Sequence, residues 1–186
     1  MKKLFLPLML IATMFACSSP ETKKTEITID KESGTFTSLD EKSARVKQLI
    51  DAYAKNDTSV GHELYADSIQ VKDRFANNQE SDDNTTKVNP GGRAALLQGD
   101  DYVHSLNTEI KATTDENDIK TFVFSDGRVV TAYWGTLVGM GKYSKAKNVV
   151  PLHLMFVWKG DKIVQLYRMF DAGPLKAEIA LSQQQK

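Results

Sequence analysis

The chain has 186 residues, 41% hydrophobic and 26% charged, with 24 basic against 24 acidic residues, which fits one globular domain with short appendages. No basic excess is present to neutralise a polyanion, so nucleic-acid binding is not expected. The single cysteine, Cys17, cannot form an internal disulfide.

Lys2 and Lys3 precede an apolar run over residues 4–16 that is too short to span a bilayer as a mature helix, and the run ends at Cys17. This arrangement resembles a bacterial lipoprotein signal, in which the cysteine is lipidated and becomes the new N-terminus. Ala16 fits that pattern, whereas Met14 and Phe15 depart from it. The alternative is an ordinary signal peptide with a stray cysteine. The expectation is an exported protein of the bacterial cell envelope, held to a membrane through Cys17. Without Lys2 and Lys3, 22 basic residues face 24 acidic ones. Residues 18–38 are polar and of mixed charge, and they read as a flexible tether, with a short apolar alternation at 27–29 that could pair as an edge strand.

Ser38 and Glu41 fit a capping box, and Val46, Leu49, Ile50 and Tyr53 follow with the spacing of one helical face. A second, short helix is predicted over 58–66 and a brief strand over 69–73. There Ile69 and Val71 alternate with polar residues and place Asp73 in phase with the apolar side. Asp73 either faces a pocket or reaches solvent at the strand end. Residues 74–89 form a long polar loop, a candidate cover over a pocket, and its acidic residues lack the spacing of a calcium loop. Pro90-Gly91-Gly92 breaks the chain before a helix over about 93–106, with Leu96, Leu97, Tyr102, Val103 and Leu106 available for its buried side.

From residue 110 the period changes to two. Strands are predicted over 119–124, 128–139, 149–158 and 162–171, with a further short one at 110–113. Helices first and an antiparallel sheet after them make an α+β domain over residues 39–174, followed by a tail at 175–186. The last two strands join through Lys159-Gly160-Asp161-Lys162, a type II′ hairpin signal. Regular alternation outward from that turn pairs Trp158 with Ile163, Phe156 with Gln165, Leu154 with Tyr167 and Leu152 with Met169. The opposite face then carries Met155 and His153 against Leu166 and Arg168. On this reading one face offers His153 and Arg168 to a pocket. The other, with Trp158, Phe156 and Tyr167, is buried either in a homodimer or under the tether or tail. Strict alternation places Asp171 away from His153 unless a bulge intervenes.

Segments LIDAYAKNDTSVGHELYADSIQVKD, GTLVGMGK and PLHLMFVWKGDKIVQLYRMFD, in this order and with the glycine-opened helix between the first two, resemble the nuclear-transport-factor-2-like superfamily. That group includes SnoaL-type polyketide cyclases and ketosteroid isomerase. The resemblance implies a cone: a strongly bent sheet wrapped by helices around a deep, mostly apolar pocket. It hosts isomerases, dehydratases and cyclases as well as members that only bind, so the fold does not fix the function. In ketosteroid isomerase the catalytic base closes a segment like YADSIQVKD, and its position falls on Asp73. The second acid falls on His153. The tyrosine of the first helix falls on Leu49, which cannot donate a hydrogen bond, so the steroid reaction is not expected.

The resulting site has Asp73 as base, His153 as a polariser kept neutral by its neighbour, and Arg168 as a clamp for an anionic group. Tyr53, Tyr65, Met155, Tyr133 and Trp134 line the pocket. The competing reading makes His153 a core residue and pairs Arg168 with Asp73 for structure. His62 and His104 read as surface residues. No metal-ligand spacing, nucleophile motif or phosphate-binding glycine loop is present, so no metal or cofactor is expected. Three functions remain open: a lipid-anchored protein binding a small, partly apolar molecule that could be anionic; an isomerase-, dehydratase- or cyclase-type enzyme using the same pocket; and a structural or interaction module with a filled pocket.

Overall fold

Helix α1 (Glu41–Ala54) is capped by Asp40, whose carboxylate accepts from the Ser43 backbone N–H at 2.9 Å while the Ser43 hydroxyl serves the Asp40 backbone N–H at 3.0 Å. The cap therefore lies two residues beyond the Ser38 box. Asp40 wins because its side chain also ties the helix to the sheet: it accepts from the Thr121 hydroxyl, which bonds Thr131, which accepts from the Trp158 indole N–H. The computed structural model describes residues 34–38, 40–73, 87–89 and 91–185. The leader, Cys17, the 27–29 alternation and residues 74–86 lie outside them.

The remaining elements are β1 (Gly34–Thr37), α2 (Ser59–Leu64), β2 (Tyr65–Asp73), β3 (Lys87–Asn89), α3 (Gly92–Leu106), β4 (Asn107–Thr113), β5 (Ile119–Phe124), β6 (Val129–Gly141), β7 (Lys147–Lys159), β8 (Lys162–Phe170) and α4 (Gly173–Gln184). Among the described residues one sheet runs in the order β1-β5-β6-β7-β8-β2-β3, with β4 pairing the far half of β6. This is the expected α+β architecture with two differences. Residues 34–37, assigned from sequence to the tether, pair antiparallel with β5 as an exposed edge strand. Moreover, the sheet is mixed: β2 lies parallel to β8, with Asp73 opposite Arg168.

The β7–β8 hairpin turns at Gly160, whose φ of +59° suits the first central position of a type II′ turn. Beyond it the pairing departs from regular alternation. Trp158 pairs with Ile163 but Val157 pairs with Gln165, so Val164 is an extra residue, a β-bulge. The bulge inverts the parity of the rest of β8. Leu152, Leu154 and Phe156 now stand opposite Phe170, Arg168 and Leu166, whereas His153 and Met155 stand opposite Met169 and Tyr167. Burial supplies the reason. Ile163 and Leu166 are both buried, at 0% and 3% exposure, and two residues three apart share a sheet face only when one residue is accommodated between them.

The core joins Val46, Leu49 and Ile50 of α1 and Leu96 and Leu97 of α3 to Ile69, Val71, Leu154, Phe156, Trp158 and Leu166 of the sheet. Burying a large apolar side chain of this kind stabilises by roughly 1.5–3 kcal/mol. Trp158 and Phe156 thus face the core and not a partner chain. The outer face of the hairpin carries His153, Met155 and Tyr167. After β8 the chain turns into α4, which Glu178 fixes. Its carboxylate, 1% exposed, accepts from the Tyr143 and Ser144 backbone N–H groups at 2.8 and 3.1 Å.

Candidate functional site

A cavity of about 160 Å³ opens between α1, α3 and the concave sheet face. Most of its lining is apolar, including Leu49, Ile50, Leu96, Leu154, Phe156 and Leu166, and Tyr53, Tyr65, Asp100 and Arg168 add polar groups. Nearer α4 the lining includes Asn107, which accepts from the Asn148 side-chain amide at 3.2 Å, and Asp171. Asp171 follows the last residue of β8 and reaches the cavity because the bulge has intervened; its Oδ1 also accepts from the Gly173 N–H at 2.8 Å.

Of the residues proposed from sequence, Tyr53, Tyr65 and Arg168 line this cavity. His153, Met155 and Trp134 do not. The His153 ring stacks on Trp134 across β6–β7, with centroids 4.9 Å apart and an interplanar angle of 18°, and Trp134 is 41% exposed. Burial alone lowers the His153 pKa, Nε2 has no partner among the described residues, and Arg168 takes no part. The pairing of His153 with Arg168 required an unbroken β8, and the bulge at Val164 removes it. Tyr133 is fully buried, and its hydroxyl donates to the Thr113 carbonyl at 2.9 Å, making it part of the core.

Asp73 meets Arg168 across the parallel β2–β8 pair. Arg168 Nε and Nη2 donate to the two Asp73 oxygens at 2.6 and 2.8 Å, with both side chains largely covered. A carboxylate held by a two-pronged guanidinium has no free oxygen aimed at a substrate proton, and Asp73 does not line the cavity. Burial opposes the Arg168 charge, but the hydrogen bonds and charge of Asp73, with Asp100 and Tyr65 beyond it, outweigh burial and hold the pKa above the ordinary value. The arginine is already neutralised within the fold.

The group left to act is Asp100 of α3. It lies on the same helix face as Leu96, Leu97 and Val103, and burial pushes its carboxyl up to about 7; Arg168 works against that rise and Asp101 adds to it. Burial also raises the pKa of Tyr53 and Tyr65, reinforced by Asp100 and opposed by Arg168, so both phenols stay protonated. The wall therefore holds two permanent hydroxyl donors and one carboxyl that changes state near neutrality. Such a set can donate to a carbonyl or hydroxyl oxygen and can give or take one proton. Sequence reasoning passed over Asp100. The signal was an acid at the position of the 96, 97, 100, 103 stripe where an apolar residue is expected. His104, taken from sequence as a surface residue, is half-buried beside Tyr53. Among the described residues no group of His, Cys, Asp and Glu is gathered to hold a metal.

No protein-family model matches the chain, and no curated protein matches it. Solved structures do. A protein of ketosteroid-isomerase-like fold from Catenulispora acidiphila, crystallised with trimethylamine, superposes with a TM-score of 0.52 at 14% identity, covering 74% of this chain and 92% of its own. IdmH, a proposed polyketide cyclase from Streptomyces antibioticus, gives 0.53 at 17%, covering 76% and 99%. A nuclear-transport-factor-2-like protein of unknown function from Burkholderia pseudomallei gives 0.51 at 14%, covering 74% and 94%. The fold is nuclear-transport-factor-2-like. At these identities the likeness concerns the fold alone, and the chemistry rests on this chain's own residues.

Proposed function

We propose that the domain binds a small, largely apolar molecule carrying one neutral oxygen function, such as a carbonyl or hydroxyl, in the cone pocket. The observation that carries this reading is Asp100, a carboxyl pushed up to about 7 in the wall of an otherwise greasy cavity of about 160 Å³. A cavity of about 150 Å³ accommodates a benzene-sized molecule, so the buried part of the ligand is a ring or a short branched chain. An anionic ligand fits less well. Asp73 already satisfies Arg168, and a second negative charge would suppress the ionisation of Asp100. The open cavity counts against a module with a filled pocket. The Catenulispora acidiphila protein was crystallised in complex with trimethylamine, which supports small-molecule binding by a protein of this fold.

A second reading is favoured by the same carboxyl. A group that titrates near neutrality is suited to moving a proton, so an isomerase-, dehydratase- or cyclase-type reaction would use Asp100 as acid and base, with Tyr53 and Tyr65 as donors to the developing oxyanion. The sequence before Cys17 supports a lipid-anchored envelope location. Native mass spectrometry of the protein purified from its own host is expected to show a co-purifying small molecule. A ligand-free spectrum, together with no binding from a library of small ketones and alcohols, overturns the binding reading. Asp100→Asn that keeps the molecule but loses its conversion selects the enzyme. Cys17→Ala is expected to release the protein from membranes; unchanged membrane association would refute the anchor.

A further inference from the structure

A second cavity of about 30 Å³ shares Leu49, Tyr53, Tyr65 and Asp100 with the main pocket, and adds Asn56, Asp57, Thr58, Gly61, Leu97 and His104. The two cavities therefore flank Asp100. Apolar atoms make up most of the surface of both, but the small one brings Thr58, Asn56, Asp57 and His104 to its wall beside Asp100 and has room for one or two water molecules. His104 lies one helical turn after Asp100 on α3, so both side chains project from the same face. Its ring packs edge-on against Tyr53, with centroids 5.0 Å apart, and its buried Nε2 has no hydrogen-bond partner among the described residues. A polar atom in that position calls for a water partner. Asn56 and Asp57, on the rim of the small cavity, are exposed.

We propose that the small cavity is a proton port, through which Asp100 exchanges its proton with solvent by way of water and His104 while a ligand fills the main pocket. The inference rests on the reading of Asp100 as the proton-handling group. A ligand seated against the apolar wall shuts out water from that side, and a carboxyl that must return to its starting state needs another route. In the outward direction the Asp100 O–H breaks, a cavity water takes that proton, and the water passes one of its own to His104 Nε2. The imidazolium then gives its Nε2 proton to a second cavity water, which passes one of its own to solvent at the Asn56–Asp57 rim, and the reverse sequence reloads the carboxyl. Burial lowers the His104 pKa, opposed by a hydrogen bond with the Tyr53 backbone and by Asp101, so the ring is neutral and ready to accept. The charged groups around the route are Asp101 on α3, Asp57 in the α1–α2 loop, and Arg168 on β8 with its partner Asp73, and the neutral phenols of Tyr53 on α1 and Tyr65 on β2 stand beside them. Arg168 stabilises the carboxylate left when the proton departs.

The test uses the purified protein with ¹³C-labelled aspartate and toluene as a plug for the main pocket. Relaxation dispersion of the Asp100 carboxyl carbon reads the protonation exchange rate near pH 7, and Asp100→Asn assigns the signal. With toluene bound, the native protein is expected to keep fast exchange. His104→Gln, which can hydrogen-bond but cannot take a proton at this pH, should slow exchange by about a hundredfold, the lower end of what a positioned proton-transfer group contributes. Gly61→Ala gives a second variant that leaves His104 untouched. The added Cβ would meet Leu97 Cδ2 at 2.8 Å and Tyr65 Cε2 at 3.3 Å, narrowing the cavity against the flexible end of a leucine, and exchange should slow here too. Unchanged exchange in both variants with toluene bound overturns the port. Toluene that fails to shift the Leu154 and Leu166 methyl signals refutes the apolar pocket of the proposed function instead, and the port falls with it.

Discussion

Asp100→Asn provides the most direct test of the site, because the native carboxyl leaves a signature in stability that needs no ligand. In the unfolded chain an aspartate titrates at about 3.8, whereas in the fold burial raises Asp100 to about 7. Between those values the native state holds a proton that the unfolded chain has released, so stability falls as pH rises, with a slope of about 1.4 kcal/mol per pH unit. Its contribution is present in full below the unfolded value and is lost as pH passes through the folded one. The difference between 3.8 and about 7 corresponds to about 4 kcal/mol of stability surrendered by pH 8. Asparagine keeps the shape and cannot ionise. Urea unfolding of both proteins from pH 4 to 9 should therefore give curves that converge at the acid end and separate with rising pH, with Asp100→Asn the more stable by up to about 4 kcal/mol at pH 8. The difference curve cancels the other carboxylates. Parallel curves across the range would show that Asp100 ionises like a surface acid, and the proposed chemistry would lose its proton donor.

Arg168→Met should lower stability by about 3–5 kcal/mol by leaving Asp73 covered and unpaired, and adding Asp73→Asn should restore a large part in a thermal melt. A loss below about 1 kcal/mol for the single variant would mean that solvent already screens the pair. A Cβ on Gly141 would land on the Glu178 carboxylate and the Ser144 hydroxyl. Gly141→Ala should therefore evict Glu178 from its two backbone donors, costing about 3 kcal/mol at roughly 1.5 kcal/mol for each charge-assisted bond, with faster hydrogen exchange over residues 173–184. Burial raises the Glu178 pKa, but the hydrogen bonds of Ser144 and Tyr143, with the Lys145 charge, prevail and leave it lowered. Its contribution is thus held above the ordinary 4.5 and lost as pH falls through the lower folded value, so Glu178→Gln should flatten the acid limb of stability against pH. His153→Phe preserves the stack on Trp134 and should leave toluene affinity unchanged; weakened binding would return His153 to the site.

Much of the fold was legible because its signals are local. The α1 stripe at Val46, Leu49 and Ile50, the glycine opening α3 and the Gly160 turn all depend on neighbours in sequence. The inner set of β7, from Leu152 to Trp158 by twos, was also separable from the outer set by alternation. Harder to read were features set by distant partners. Asp40 takes the cap from Ser38 because Thr121 is waiting on β5, and β1 becomes a strand because β5 offers an edge. The parallel pairing of β2 with β8 is a matter of topology. A pattern did hint at the bulge: Ile163, Val164 and Leu166 are apolar while Gln165 is not, which no strict period of two sorts cleanly.

That one inserted residue decides where the chemistry can lie. With β8 unbroken, Arg168 would stand beside His153, and Asp73 would remain the free acid that the resemblance to ketosteroid isomerase marks out. With Val164 bulged, Arg168 points to the concave side, where the parallel neighbour β2 presents Asp73 at the same level. The two then occupy each other, at 2.6 and 2.8 Å. Acid and base cancel, and the pair becomes a dipolar wall with no net charge to offer an anion. What it leaves is a fixed positive end near Asp100, enough to keep that carboxyl from being forced permanently neutral by its apolar surroundings, since burial alone would carry it above the value near 7. The Asp73–Arg168 pair is thus better understood as tuning a third residue than as a catalytic couple. It follows that removing Arg168 should move the Asp100 titration upward even in the double variant with Asp73→Asn, where no unpaired acid remains at position 73 to account for the change.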